Sequence, residues 1–266
     1  MKKRLVIFGI LIVAAGAVWF GRGVIRDAVI EYRKTPIPSE QPRPTPTPSV
    51  AEESETPEPT PTPRPEAGMN LAVPFYAQAP DGDWTLPWQE ACEEASAILV
   101  DAYWQDDPLS VDEMKARILA LVVWQTERFG SYEHTTAADT AVILREVMGY
   151  ERVDVKYDVD IDDILAHVRA GRPVIVPLAG RLLGNPYYTA PGPVYHMLVV
   201  KGVTDDGKII TNDVGTRHGK DYVYDPAVFL AAMHDVPESG AAWPSGVDPA
   251  EYIKTGKRAI VVVYQN

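Results

Sequence analysis

Residues 88–102 read WQEACEEASAILVDA, and Ala91, Ala95, Ile98, Leu99 and Ala102 recur within them at the spacing of one helical face. Pro87 lies just upstream, and Glu93 and Glu94 suit a first helical turn, whose free N–H groups carry partial positive charge. The single cysteine of the chain, Cys92, therefore falls at or near a helix start. Unpaired N–H groups there favour thiolate over thiol. Glu93 and Glu94 would oppose this if they faced the sulfur, and a helix beginning at Cys92 is expected to turn them elsewhere. With one cysteine no intramolecular disulfide can form, so the fold must rest on its core. A buried structural thiol is the competing reading, although Ala or Val could fill that place.

Working outward, the pattern predicts further helices over 111–123, 136–148 and 160–170, the last two ended by Gly149 and Gly171. A short helix is expected from Pro226 to Met233. Upstream, LAVPFYA (71–77) reads as a strand. Downstream the period changes, and 172–178, 195–203, 208–212 and 258–264 all read as strands. Helices first and strands second argue for an α+β fold, with N-terminal helices packed on a C-terminal antiparallel sheet.

A thiol nucleophile needs a base within hydrogen-bond reach, and the base needs an orienting partner. Of five histidines, His134 lies in the polar stretch SYEHTT, His167 within a helix and expected to be exposed, His218 in a turn, and His234 near a helix end. His196 differs, because it opens the apolar strand MLVV directly after Pro191-Gly192-Pro193. The following strand ends at Asn212-Asp213. A two-residue Asp206-Gly207 hairpin would set Asp213 opposite Val200, leaving it roughly 13 Å along the strand from His196. A longer loop, or a bend after Asn212, must close that gap. Asn212 is the alternative partner on the other face.

Four segments, VPFYAQAP (73–80), WQEACEEAS (88–96), GPVYHMLVVKG (192–202) and IITNDVGT (209–216), together resemble the papain-like cysteine peptidases of the bacteriocin-leader-processing type. The likeness spans most of residues 70–235 and keeps the order Gln, Cys, His, Asp. It implies a papain-like fold in which Cys92 is the nucleophile, His196 the general base and acid, and Asp213 the residue that orients the imidazole. A glutamine ahead of the cysteine would support the oxyanion; Gln78, which closes the VPFYAQ stretch, is preferred over Gln89. Cys92-Glu93 departs from the commonest pattern of that group, which has Gly after the cysteine.

The chain is not homogeneous. Lys2, Lys3 and Arg4 precede an uncharged run from Leu5 to Gly21, whose seventeen residues would rise about 25 Å as a helix. Residues 1–34 are expected to form a signal anchor, or a signal peptide if cleaved, that places the rest outside the cytoplasm. Residues 35–68 are dense in Pro and Thr and are expected to be a disordered spacer of up to roughly 100 Å when extended. Residues 69–266 then form the folded domain. The net charge of −12 argues against a nucleic-acid partner, and scattered His with one Cys argue against a metal site, so no cofactor is expected. The expected partners are a peptide or protein substrate and, through the N-terminal segment, a membrane; a monomer is expected. Two rival readings remain open: an amidase of cell-wall peptides on the same framework, and a catalytically dead tethered binding module.

Overall fold

The stretch GPVYHMLVVKG becomes the heart of a seven-stranded antiparallel sheet. In the computed structural model, which describes residues 35–44, 67–240 and 243–265, the strands are β1 (Met69–Asn70), β2 (Val153–Tyr157), β3 (Val174–Ala179), β4 (Tyr195–Val203), β5 (Ile209–Asn212), β6 (Tyr222–Tyr224) and β7 (Ala259–Val263). The helices are α1 (Cys92–Gln105), α2 (Val111–Phe129), α3 (Ala137–Glu146), α4 (Ile161–Arg169), α5 (Pro226–Ala232) and α6 (Pro249–Tyr252). The strand order is β2-β7-β3-β4-β5-β6, with β1 pairing the far end of β4. The fold is α+β, as the sequence predicts.

Every residue of β3, β4, β5 and β7 is buried, as expected of strands covered on both faces, which read as continuous apolar runs. Helix α1 packs on β4 and is itself almost wholly buried. This is why its apolar residues run beyond a single stripe. Three helices open on reciprocal caps, Ser110 with Glu113, Thr136 with Asp139, and Asp160 with Asp163. Helix α1 has Ala91 at that position and no side-chain cap, which leaves its first N–H groups for the site.

Several expectations need correction. Residues 71–77 are not a strand. Only Leu71 bridges, and the carbonyls of Val73 and Pro74 accept from the Asn212 side chain at 3.1 and 3.0 Å. Pro74 has no N–H to give a ladder. The sequence pattern did not single out β2, and β6 has only three residues in which a period could show. β2 also interrupts the helices-first order, since it sits at the sheet edge against β7, the last strand of the chain. His167, expected to be exposed, is 6 % exposed, and its Nδ1 accepts from Arg172 Nε at 3.1 Å.

Residues 37–44, expected to lie in a disordered spacer, are instead docked on the domain. Residues Ile37–Asn266 form one unit, and Gln41 is laid alongside Leu71: its N–H donates to Asn70 O at 2.6 Å and its carbonyl accepts from Ala72 N at 2.9 Å. Beside it, Lys201 is fully buried with its Nζ 2.7 Å from Glu40 Oε1 and 2.8 Å from Asp221 Oδ1. A buried ammonium is tolerated only when paired, and half of that pairing comes from the Pro-rich segment. Gln41, a residue with an N–H among prolines, lets the described part of the segment dock. Residues 45–66 and the apolar run at 5–21 lie outside the described residues. Among the described residues, no helix is long and apolar enough to cross a membrane.

Candidate active site

Cys92 is the first residue of α1, and His196 is the second residue of β4. Both line a cleft of about 900 Å3 whose walls also include Gln78, Glu90, Tyr188 and Trp243. Helix α1 packs on β4, the strand that carries His196. Cys92 is 5 % and His196 1 % exposed.

His196 Nε2 lies 2.9 Å from Asp213 Oδ1, so this side of the ring is committed and Nδ1 is left to exchange protons within the cleft. The approach that simple hairpin counting denies is made by both expected devices. The loop between β4 and β5 spans five residues, Val203 pairing with Ile209, and a bulge falls between Val200 and Gly202. Thr211, not Asp213, therefore faces Val200, and Asn212 faces Val199. The chain then bends, with Asp213 N donating to Gly219 O at 2.9 Å. Asn212 turns its amide to the carbonyls of Val73 and Pro74, away from the imidazole. Gly215 must be glycine here, because a Cβ would stand 2.8 Å from His196 Cε1.

Asp213 is fully buried, which by itself would raise its pKa. The His196 charge and a shell of hydrogen bonds outweigh burial and hold the carboxyl below its ordinary value. Its Oδ2 accepts from Tyr224 Oη at 2.5 Å, Tyr188 Oη at 2.7 Å and Asn185 Nδ2 at 3.0 Å. Its Oδ1 accepts from Gly215 N at 3.0 Å as well as facing His196. The reading of the sequence missed all three side chains around Oδ2. Tyr188 and Asn185 belong to the stretch GNPYY, whose concentration of Pro, Asn and Tyr between strands was the available signal.

The thiol is a second surprise. The helix does start at Cys92, yet Glu93 does not turn away: Cys92 Sγ donates to Glu93 Oε2 at 3.0 Å, and Glu93 is 1 % exposed. The next glutamate, Glu94, is fully buried and accepts from Gln125. Burial first, then the Glu93 charge and hydrogen bond, push the thiol well above its ordinary pKa, while the Met197 N–H works the other way. Burial likewise pushes the Glu93 carboxyl up. Burial thus disfavours the ionised form of both groups.

Gln78 is 4 % exposed. Its backbone N–H donates to Val214 O at 2.9 Å, and its side-chain Nε2 donates to Trp88 O at 3.0 Å and Gln89 O at 2.8 Å. It thereby ties the turn before Cys92 to the turn after Asp213. Gln89 is exposed, with its amide on Glu90 Oε1 at 3.0 Å. His134, read as a loop residue, also lines the cleft, its Nδ1 3.7 Å from Glu90 Oε2 and its ring tilted at 40° against Trp243, 4.6 Å between centroids. No cluster of metal-binding side chains occurs among the described residues.

The cleft is thus lined by a helix-tip cysteine and by a strand histidine paired to a buried aspartate. Residues 70–235 match the model of the Peptidase_C39 like family. The chain belongs to that family, whose activity class is peptidase. Among solved structures, the chain is similar to that of a candidate C39-like peptidase from Bacillus anthracis, at 14 % identity and a TM-score of 0.47, over 76 % of this chain and 99 % of that one. No curated protein matches the chain.

Proposed function

We propose that this protein is a cysteine peptidase that cleaves peptide bonds through Cys92, His196 and Asp213. The observation that carries the reading is the buried 2.9 Å pair of His196 and Asp213, whose histidine lines the same cleft as Cys92. On substrate binding, water leaves the cleft and the thiol proton passes to His196 Nδ1. The sulfur then attacks the scissile carbonyl carbon. The oxyanion is met by the uncapped N–H groups that open α1, and by Gln78 once its amide turns from one of its two carbonyl partners. His196 returns the proton to the leaving amine as the C–N bond breaks. Water, deprotonated by the same imidazole, then hydrolyses the thioester to a carboxylate and restores the thiol. Asp213 keeps the imidazole oriented and stabilises its charged form.

We further place the domain outside the cytoplasm, tethered to a membrane. The uncharged run from Leu5 to Gly21 behind three basic residues supports this. The test of the activity is digestion of a peptide mixture by the wild type and by Cys92→Ala, read by mass spectrometry. New termini that depend on Cys92 support the peptidase. Equal digestion by both proteins, or none by either, rejects it.

A further inference from the structure

The cleft has a basic wall that the catalytic groups do not use. Arg181 sits in the 3-10 turn Gly180–Leu183 after β3, and Arg217 in the turn after Asp213; both line the cleft and both are exposed. In a chain of net charge −12, arginines beside acidic turns ordinarily find carboxylates. These two do not. Arg181 gives only its Nε, to Gly192 O at 3.3 Å. Arg217 lies over the Asp81–Asp83 turn, where a Cβ on Gly82 would come within 3.3 Å of its Nη1. Asp81 is taken by Lys115, and Asp83 accepts from Thr85 N and Oγ1 at 3.0 and 2.9 Å. Among the described residues, the Arg217 guanidinium has neither ion pair nor hydrogen bond. Next to it, His218 stacks on Tyr187 at 4.4 Å, adding a planar aromatic face to the same wall.

A guanidinium presents a planar fork of N–H donors that matches a carboxylate in two-point geometry, and it is weakly enough hydrated to be used at a binding surface. We propose that Arg181 and Arg217 form a carboxylate-binding subsite of the cleft, selecting peptides that carry an acidic group within a few residues of the scissile bond. The inference rests on the peptidase reading and adds its substrate class. The carboxylate comes either from an Asp or Glu side chain or from the free C-terminus of a short peptide.

Three matched peptides test this. One has a Glu flanking the cleaved bond and an amidated C-terminus. In the second, Gln replaces Glu and the C-terminus is free, and in the third Gln is combined with amidation. The expected result is a kcat/KM for the first or second that exceeds the third by at least about tenfold, which is the size of one charge-assisted contact. Preference for the first assigns a side-chain carboxylate, and preference for the second the α-carboxylate. In Arg181→Gln/Arg217→Gln the acidic-over-neutral ratio should fall to near one. Cys92-dependent cleavage with equal rates on all three, or a preference that survives the double substitution, overturns the subsite and leaves the peptidase intact. If the wild type cleaves none of them, the peptidase reading fails instead. Titration of the Cys92→Ala protein by tryptophan fluorescence then decides the subsite alone. Tighter binding of a carboxylate-bearing peptide that is lost in Arg217→Gln supports the subsite, and equal binding of all three overturns it.

Discussion

Cys92 Sγ stands 3.0 Å from Glu93 Oε2, and both side chains are buried. A carboxyl group beside a nucleophilic sulfur works against the helix tip that would favour the thiolate. Burial and this carboxyl together disfavour the thiolate.

The effect of Glu93 is readable in a pH profile. The thiol pKa is raised, by burial first and by Glu93 next, so alkylation must climb with pH through that raised value. In Glu93→Gln the side chain cannot ionise, and its amide can donate to the sulfur. The midpoint of iodoacetamide labelling, followed by intact mass on this single-cysteine protein, should shift to lower pH. An unchanged midpoint would show that Glu93 has no hold on the thiol.

Glu94 predicts a stability effect. Burial, only partly offset by its hydrogen bonds, pushes its carboxyl up to about 8 from an ordinary value of 4.5. A carboxyl with a raised folded-state pKa favours the fold while protonated. That contribution is fully present below about 4.5 and is lost as pH rises through about 8. Urea unfolding of the wild type should therefore weaken between about pH 5 and about pH 8, by an amount on the order of a few kcal/mol. Glu94→Gln should flatten that slope. Identical slopes would exclude a buried protonated Glu94.

The shell around Asp213 makes a graded prediction. Asp213→Asn removes the acceptor that fixes the imidazole, and kcat/KM should drop on the order of 10²- to 10⁴-fold. Tyr224→Phe removes one of the hydrogen bonds that hold the Asp213 carboxyl low. Its acid limb in the pH–rate profile should move to higher pH, with a smaller loss in rate. A loss without a moved limb would reduce Tyr224 to packing.

Much of this site is legible in the sequence, and the limits have identifiable causes. The apolar run after His196 and the helical face behind Cys92 are strong periodic signals, so β4 and α1 stand where the pattern puts them. Gln78, Cys92, His196 and Asp213 converge on one region, the first three lining the cleft and the last bound to His196. The register that unites His196 with Asp213 was not readable, because it depends on a bulge at Val200 and a five-residue loop rather than on residue types. Strands as short as Tyr222–Tyr224 carry too few residues for a period to show. The Glu93 contact escaped because a helical residue beside the N-terminus was assumed to point outward, whereas almost all of α1 is buried. Glu40 and Gln41 escaped because composition averages over a stretch in which two residues do the docking.

The central claim is that Cys92 becomes a nucleophile only with His196 beside it. The direct measurement is the rate at which a peptide carrying an electrophilic ketone forms an adduct with Cys92, compared between the wild type and His196→Ala by intact mass. The account predicts a wild-type adduct that forms much faster than with free cysteine, and a loss on the order of 10²-fold or more in His196→Ala. Equal rates in the two proteins, or a wild-type rate no greater than that of free cysteine, would contradict it.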